Sequence, residues 1–308
     1  MSIHADSSGT GPDPACAWSP DRPDACPALS AVDGGRAGSS ALSVVLPIRP
    51  RTASTDGAPL FCVAGEAGLA WNYAGLVTHI DPRVPIYGLQ ATVTPTPRTI
   101  RDYAARYVAE IRRIAPRGPY QLLGWSAGGF VAHEIAVLLR AAGDHVRVVL
   151  LDTDPAARGA VAPQRLSAGR FVARFGPLLG VETGTAELSA DETAAIVTAA
   201  LAGTVELTGA DLDRIADAAD TTARMVAGHR PSLLPGDLTV CVAGRAPDGE
   251  DRPNPEVAVG NWRPYVEGEV TGIVLDAAPD ELTAPELLPE IARVLGTATA
   301  TSTTGVAR

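Results

Sequence analysis

Hydrophobic residues recur in two alternating patterns between about residue 42 and residue 296. Short apolar runs bounded by turn residues predict buried strands, and longer segments with apolar residues every three or four positions predict amphipathic helices. Seven strands are predicted: Leu42–Ile48, Leu60–Val63, Pro85–Leu89, Tyr120–Gly124, Val146–Leu151, Leu238–Val242 and Gly272–Leu275. Strands that alternate with helices indicate an α/β fold, with a mostly parallel sheet and helices on both of its faces.

Three helices are marked most clearly. One covers Ile100–Ile114, and Thr99 is placed to cap its first turn. A second begins after Ser126 and ends near Gly143, a residue typical of helix C-termini. A third is predicted from about Glu286 to Leu295.

Residues 156–227 interrupt the alternation of strands and helices. This stretch is rich in Ala, Leu and Thr, has helical periodicity and contains no strand pattern. Segments inserted above the carboxyl edge of a parallel sheet usually carry function, so a helical lid over an active site is the favoured interpretation. A helical insertion that only completes the core is the alternative.

Composition limits the classes of function. Of the 308 residues, 46% are hydrophobic, enough for one large core, and the net charge of −10 argues against binding to nucleic acid. No apolar run has the length of a membrane span, and the N-terminus has no basic segment followed by an apolar one. Four cysteines without metal-like spacing indicate free thiols, so a cytoplasmic location is predicted.

The two ends of the chain differ from the middle. Residues 1–41 are rich in Ser, Gly, Pro, Ala and Asp, and residues 297–308 are rich in Thr and Ala. Neither segment has enough apolar surface to offset the entropy of ordering, so both are predicted to be disordered tails. The predicted folded domain is residues 42–296.

The most informative motif is Gly124-Trp125-Ser126-Ala127-Gly128, which follows a buried strand and opens a helix. A serine in G-x-S-x-G between a strand and a helix lies on a sharp turn, where its hydroxyl can attack a carbonyl. The two glycines are expected because a Cβ there would collide with neighbouring backbone. The helix N-terminus behind the serine favours developing negative charge.

An aspartate is placed to work with this serine. Asp152 ends the next strand, so Ser126 and Asp152 should meet at one edge of the sheet, where a carboxylate can orient a catalytic histidine. Asp152 could instead cap a following helix. Asp248, after a later strand, is a weaker candidate for the same acid.

Several segments together resemble one enzyme family. They are PLFCV, GLAWNYAGL, IYGLQA, GPYQLLGWSAGGFVAHEIA, VVLLDTDP and NWRPYVEGEV, and they are similar to the thioesterase domains of nonribosomal peptide synthetases. The resemblance covers about residues 42–296 and implies an α/β-hydrolase fold with a helical lid. It further implies transfer of an acyl or peptidyl chain from the phosphopantetheine of a carrier protein to a serine, and release by hydrolysis or cyclisation. By this resemblance Ser126 is the nucleophile, Asp152 is the triad acid, and the backbone N–H groups of Glu66 and Ala127 form the oxyanion hole.

The chain departs from the family pattern at two positions. Glu66 follows the first core strand where the family has a His-Pro sequence or a close variant, and an ionised carboxylate there would oppose an oxyanion unless it turns to solvent. Near the C-terminus, the register set by Pro285-Glu286 puts Pro279 where the family has its catalytic histidine. Proline can neither accept nor donate a side-chain proton.

The remaining histidines are poor substitutes. Their positions in the predicted elements favour structural or solvent-exposed roles for all five: His4, His79, His133, His145 and His229. Without a base, a serine hydroxyl is a weak nucleophile.

Carboxylates offer a second route for proton transfer. Asp280 and Glu281 occupy the loop that would hold the histidine, and a buried carboxylate can act as an acid or base when its pKa is raised. With Glu66 they could form a site for proton abstraction or ring closure. The alternative, slightly favoured, is that they cap the following helix or face solvent.

Three functions remain open from the sequence. The first is a free-standing thioesterase or cyclase that meets its carrier protein in trans and acylates Ser126. The second is a non-hydrolytic enzyme of the same fold (a lyase, isomerase or cyclase) that uses Glu66 or Asp280. The third is a catalytically silent protein that binds an acyl chain or a carrier. The intact serine motif favours an enzyme, and no signature of a metal, nucleotide or flavin cofactor is present.

Overall fold

The computed structural model describes residues 42–65, 68–91, 97–157, 167, 171–172, 188–200 and 207–297. The predicted N-terminal tail, residues 298–308 of the predicted C-terminal tail, and Glu66 lie outside these ranges, as does much of the predicted lid.

Seven strands form one sheet. They are β1 (Val45–Arg49), β2 (Leu60–Val63), β3 (Ile86–Leu89), β4 (Tyr120–Trp125), β5 (Val146–Leu151), β6 (Leu238–Ala243) and β7 (Val270–Leu275), in the spatial order β1-β3-β2-β4-β5-β6-β7. Only β1 runs antiparallel to its neighbour β3, and all other pairs are parallel. The prediction of a mostly parallel sheet is therefore confirmed, and all seven predicted strands are present.

Six α-helices lie in the described ranges: α1 (Ile100–Ile114), α2 (Ala127–Ala141), α3 (Ala190–Ala200), α4 (Gly209–Gly228), α5 (Glu256–Gly260) and α6 (Leu288–Thr297). Short 3₁₀ segments occur at Trp71–Thr78, Arg263–Tyr265 and Glu281–Thr283. Thr99 caps α1 as predicted, since its hydroxyl accepts the backbone N–H of Asp102 at 3.0 Å. None of the helices in these ranges combines the length and hydrophobicity that a membrane span needs.

The core consists of two clusters, one on each face of the sheet. Consecutive residues of a strand point to opposite faces, so Leu122 belongs to one cluster and Leu123 to the other. The cluster that contains Leu122 packs under α1 and α2. The cluster that contains Leu123 packs against the Trp71–Thr78 segment and α6.

Helix α4 reaches both clusters. Leu212 and Ile215 in its first half pack into the cluster that contains Leu123, and Val226 near its end packs into the other. Its 20 residues make it about 30 Å long at the usual rise of an α-helix. Its side-by-side neighbours are α1, α2 and α3. The described part of the 156–227 insertion therefore extends from one face of the sheet to the other.

Three elements begin two or three residues away from their predicted starts. β1 begins at Val45 and not at Leu42, because the chain before it is held by the side-chain amide of Gln90, which donates to the Ser43 carbonyl at 2.9 Å. β7 begins earlier than predicted, at Val270, because Val270 pairs with Leu238 across the sheet. Helix α6 begins at Leu288, two residues later than predicted.

Candidate active site

Ser126 lies on a sharp turn between β4 and α2. Its backbone has φ 51° and ψ −120°, values that a non-glycine residue adopts only at a cost of about 1–3 kcal/mol. Three hydrogen bonds hold the turn: the Ser126 N–H donates to the Leu151 carbonyl (2.9 Å), and the Ser126 carbonyl accepts from the Gly129 N–H (3.0 Å) and the Thr153 hydroxyl (3.1 Å). The backbone thus has the strained geometry that the motif predicts, and the side chain is half-buried.

The two motif glycines are required by close backbone approach. A Cβ on Gly124 would lie 2.6 Å from the Gly128 carbonyl oxygen and 2.7 Å from the Ala132 Cβ. A Cβ on Gly128 would overlap the carbonyl oxygen of Ala64, in the segment that follows β2. The first turn of α2 is therefore in direct contact with the segment that leads to Glu66.

Of the two predicted oxyanion donors, Ala127 lies in the described residues and Glu66 does not. Ala127 is buried and is the first residue of α2, so its N–H group belongs to the helix N-terminus beside Ser126. The described residues on either side of Glu66 are joined by a hydrogen bond from the Gly68 N–H to the Gly65 carbonyl at 3.0 Å. The oxyanion roles of Ala127 and Glu66 stay predictions.

Asp152 is next to Ser126, because Ser126 hydrogen-bonds to the residue that precedes Asp152. Its φ of 41° is also positive, and its N–H donates to the Cys241 carbonyl at 2.7 Å. Its carboxylate Oδ1 accepts Arg252 Nη1 at 2.5 Å and the Ala243 N–H at 3.3 Å. Among the described residues, the side-chain partner of Asp152 is thus an arginine and not a histidine.

Arg252 comes from a tight loop after β6. The loop folds back on itself: the Arg252 N–H donates to the Gly244 carbonyl at 2.8 Å, and the Ala246 N–H donates to the Glu250 carbonyl at 2.7 Å. Asp248, the weaker candidate for the acid, is exposed at the tip, where its Oδ1 accepts the Glu250 N–H at 3.2 Å. Asp248 therefore stabilises the turn, and the loop positions the Arg252 guanidinium against Asp152.

The loop after β7 contains Pro279, which the sequence predicts at the position of the family's histidine, together with Asp280 and Glu281. The Pro279 carbonyl accepts the Trp125 indole N–H at 3.1 Å, so residue 279 is linked to the residue directly before Ser126. Asp280 is exposed and precedes a 3₁₀ segment. Glu281 turns back to accept the Ala278 N–H at 2.8 Å. This contact lies before the 3₁₀ segment and does not cap the following helix, so the roles of Asp280 and Glu281 stay predictions.

Four of the five histidines fall in the described ranges, and none of these contacts the Asp152 carboxylate. His79 and His145 are exposed at the ends of a 3₁₀ segment and of a loop before β5. His133 is buried on α2, and His229 follows α4. The sequence-based placement of these histidines away from the site therefore agrees with the structure.

A buried polar cluster lies behind the turn, on α2. The Glu134 carboxylate accepts the N–H and hydroxyl of Ser232 at 2.7 and 2.9 Å and lies 3.3 Å from His229 Nε2. Burial by itself would raise the pKa of Glu134, but the hydrogen bonds from His229 and Ser232 outweigh burial and lower this pKa. The cluster therefore connects α2 to the end of α4 through a charged carboxylate.

His133 is adjacent to this cluster and packs on a tryptophan. Its ring centroid is 4.8 Å from that of Trp262, whose indole N–H donates to the Thr153 carbonyl at 2.7 Å. Burial lowers the pKa of His133 to about 4, and the nearby charge of Glu134 only partly opposes this effect. His133 is therefore a neutral core residue at pH 7.

The two described cysteines, Cys62 and Cys241, are free and buried, and burial raises the pKa of Cys241 to about 12. Such thiols are not reactive nucleophiles. Within the described residues, no group of three or more His, Cys, Asp or Glu side chains is arranged to hold a metal ion.

Comparison with known proteins agrees with the resemblance. The family model of the thioesterase domain matches residues 58–296. The dimodular nonribosomal peptide synthase of Bacillus subtilis (strain 168) is 32% identical over 263 residues, which are 83% of this chain and 11% of that protein. Vanchrobactin synthetase VabF of Vibrio anguillarum is 32% identical over 267 residues, 82% of this chain and 8% of that protein. The chain spans about a tenth of the length of these two relatives.

Solved structures show the same fold. The NocB thioesterase domain from the nocardicin cluster has a TM-score of 0.53 and 25% identity, and the match covers 80% of this chain and 95% of that one. The Vlm2 thioesterase domain has a TM-score of 0.62 and 19% identity, with 85% and 98% of the two chains covered. The sheet is thus that of an α/β-hydrolase, and the chain belongs to the thioesterase-domain family.

Proposed function

We propose that this protein acts on an acyl or peptidyl chain bound as a thioester to the phosphopantetheine of a carrier protein in natural-product biosynthesis. Ser126 accepts the chain, which is then released by hydrolysis or cyclisation. The observation that carries the proposal is the strained serine turn, because backbone strain of this kind persists where function requires it. The relatives that are peptide synthetases support a carrier protein as the partner.

In the proposed first step, Ser126 Oγ attacks the thioester carbonyl, the bond from carbon to sulfur breaks, and the pantetheine thiolate leaves. The negative charge on the carbonyl oxygen is stabilised by the N–H groups of Ala127 and Glu66 at the start of α2 and in the loop after β2. A thiolate is a good leaving group because free thiols have a pKa of about 8.5. The demanding requirement is therefore a base that takes the hydroxyl proton of Ser126.

The identity of this base divides two candidate mechanisms. Asp152, the predicted triad acid, is paired with Arg252, and residue 279 is a proline, so we propose that no imidazole activates Ser126. Glu66 or Asp280 would then accept the proton, as the carboxylates that the sequence predicts beside Ser126. A non-hydrolytic reaction (lyase, isomerase or cyclase chemistry) that uses these carboxylates without acylating Ser126 is the second candidate, favoured by the same Asp152–Arg252 pair.

We also propose that α3 and α4 form part of a lid. Helix α4 packs into both core clusters, one on each face of the sheet. A helix that reaches both faces of the sheet supports a lid over the sheet edge where Ser126 lies. The reaction itself requires no resident cofactor, since the phosphopantetheine arrives with the carrier.

The test is intact-mass spectrometry of the protein mixed with an acyl-loaded carrier protein. Wild type is expected to gain the mass of the acyl group, and Ser126→Ala is expected to lose this adduct. Glu66→Gln and Asp280→Asn, which remove one charge each, are expected to slow acylation if the respective carboxylate is the base.

Other outcomes identify the alternatives. Product formed by Ser126→Ala, but not by Glu66→Gln or Asp280→Asn, would contradict acylation of Ser126 and support the non-hydrolytic reaction. Neither adduct nor product in wild type, together with tight binding of the carrier, would support a silent binding protein.

A further inference from the structure

The Arg252 guanidinium is held at the candidate site by a well-defined loop. Backbone hydrogen bonds fold residues 244–252 into a short hairpin, with a bridge between Arg245 and Asp251 and with Gly249 at φ 87° in its turn. Because Arg252 is anchored to Gly244 at the end of β6, its side chain extends across the sheet edge to Asp152 at the end of β5. The loop therefore holds the Arg252 guanidinium against Asp152, which lies next to Ser126.

Within the described part of the chain, one hydrogen bond is made by the Arg252 side chain. A guanidinium carries five N–H donors, and among the described residues the only side-chain partner of Arg252 is Asp152, reached through Nη1. Its side chain is 27% exposed, compared with 14% for Asp152. The Arg252 side chain is thus partly exposed, at the edge of the sheet where the substrate would lie.

The geometry points to Arg252 as a specificity-determining residue that binds a carboxylate on the acyl chain of the substrate, an inference that rests on the proposed function. Arginine suits this role because its planar fork matches the two oxygens of a carboxylate. Asp152 holds one edge of the guanidinium in place, which leaves another edge for the ligand. The substrate class is therefore an acyl or peptidyl chain with an acidic group near the thioester.

A phosphate is the other oxyanion that the substrate would bring. In a carrier-bound substrate, however, the phosphate and the thioester carbon lie at opposite ends of the pantetheine arm. Arg252 contacts Asp152, which lies next to Ser126, so it is near the thioester end. An acidic group of the acyl chain fits this position better. Compounds that carry the carboxylate but no phosphate distinguish these two possible ligands of Arg252.

The experiment measures binding and not turnover. Two amide analogues of the thioester substrate are compared by isothermal titration calorimetry at pH 7: N-acetylethylenediamine carrying a succinyl group, and the methyl ester of the same compound. Both lack phosphate, and the second compound has an uncharged methyl ester in place of the carboxylate of the first. Wild type is expected to bind the succinyl compound at least about tenfold more tightly, as a charge-assisted hydrogen bond implies.

Two variants test the residue. Arg252→Gln is expected to bind both compounds equally, and Arg252→Lys, which keeps the charge and loses the fork, is expected to retain only part of the preference. Arg245→Gln is the matched control. Arg245 lies on the same loop, but its guanidinium is bound by both oxygens of Asp276, at 2.7 and 2.9 Å. The control is expected to keep the wild-type preference.

Equal binding of both compounds by wild type would overturn the inference and leave the proposed function standing. A preference that survives in Arg252→Gln would overturn it as well. If neither compound binds to wild type, the proposed function fails and the inference fails with it. Should Arg252→Gln not fold, the wild-type comparison and Arg252→Lys still decide the matter.

Discussion

At the scale of single residues, the serine turn was predictable and the partner of Asp152 was not. The turn follows from a local pattern, in which a buried strand, two glycines and a helix start lie within a few residues. Arg252 is 100 positions away from Asp152 in sequence and comes from a loop without periodicity, so no local signal marks their contact. Contacts of this kind are set by the tertiary structure.

The strain at Ser126 has a measurable effect on stability. Ser126→Gly and Ser126→Ala both remove the hydroxyl, but only glycine adopts a positive φ without steric cost. We expect the free energy of unfolding of Ser126→Gly to exceed that of Ser126→Ala by about 1 kcal/mol. Chemical denaturation of the two variants measures the difference. Equal stability would mean that the strain does no more than offset the roughly 0.5–1 kcal/mol that glycine costs through the entropy of the unfolded chain.

Position 279 offers a test by gain of function. Because the Pro279 carbonyl binds Trp125 through the backbone, Pro279→His should keep this contact and place an imidazole near Ser126. Hydrolysis of an uncharged acyl thioester is expected to rise by about 10²-fold, the usual contribution of a general base. Release of free thiol measures the rate.

The gain should require the serine, so Ser126→Ala in the Pro279→His background is the control and should return the rate to background. Adding Arg252→Ala should increase the gain, because it frees Asp152 to orient the imidazole. A folded Pro279→His variant without faster hydrolysis would contradict the prediction that residue 279 stands at the position of the family's histidine.

At the scale of elements, the sequence predicted which strands and helices exist better than where they end. All seven strands and the helices around Ser126 arise from strong hydrophobic periodicity, which burial preserves. The ends of β1, β7 and α6 depend on pairing and side-chain contacts with distant residues, such as Val270 with Leu238. Such contacts leave no mark on the local sequence pattern.

One long-range contact joins a strand to a helix end. Arg147 on β5 donates to the carbonyls of Val294 (2.6 Å) and Leu295, near the C-terminus of α6. Arg147 thus brings charged donors to two carbonyls in the last turn of α6, where a cation is favourable. Removal of the Arg147 side chain should therefore weaken the packing of α6 on the sheet.

We expect Arg147→Met to lower the free energy of unfolding by about 1–3 kcal/mol, the range for hydrogen bonds to a charged group. Arg293→Met is the matched control, because Arg293 is exposed on the same helix and pairs with Glu290. The control should change stability by less than about 0.5 kcal/mol. Denaturant titration of both variants measures the effect, and equal losses would contradict the capping role of Arg147.

At the scale of the whole molecule, one buried network links distant parts of the chain. Glu134 joins α2, which begins beside Ser126, to His229 and Ser232 after α4. His133 packs beside it on Trp262, which in turn binds the loop after β5. The composition predicted a large core, but a charged carboxylate at its centre was not predictable, because its partners are almost a hundred residues away.

This network makes stability depend on pH. The pKa of His133 is lowered to about 4 from an ordinary value of 6.5. Between these two pH values, the unfolded chain therefore binds a proton at His133 that the folded chain does not bind. The free energy of unfolding should fall by up to about 1.4 kcal/mol per unit as pH drops through this window. Glu134, whose pKa is lowered, adds a further loss in more acidic solution.

His133→Leu should flatten the dependence on pH between about 6.5 and 4, since the variant has no proton to bind there. His145→Gln, at an exposed histidine, should leave the wild-type dependence in place. Denaturant titrations at several pH values compare the three proteins. A His133→Leu variant with the wild-type slope would assign the acid sensitivity to other groups.

The stacking of His133 on Trp262 has an optical consequence. A protonated imidazole next to an indole quenches its fluorescence, whereas a neutral one does so far less. Because Trp262 is fully buried and 4.8 Å from the His133 ring, its emission should dim when this one histidine becomes charged. The difference in emission between wild type and Trp262→Phe would then follow the proton directly. The molecule thus carries its own spectroscopic indicator, placed in the core that joins the serine helix to the proposed lid.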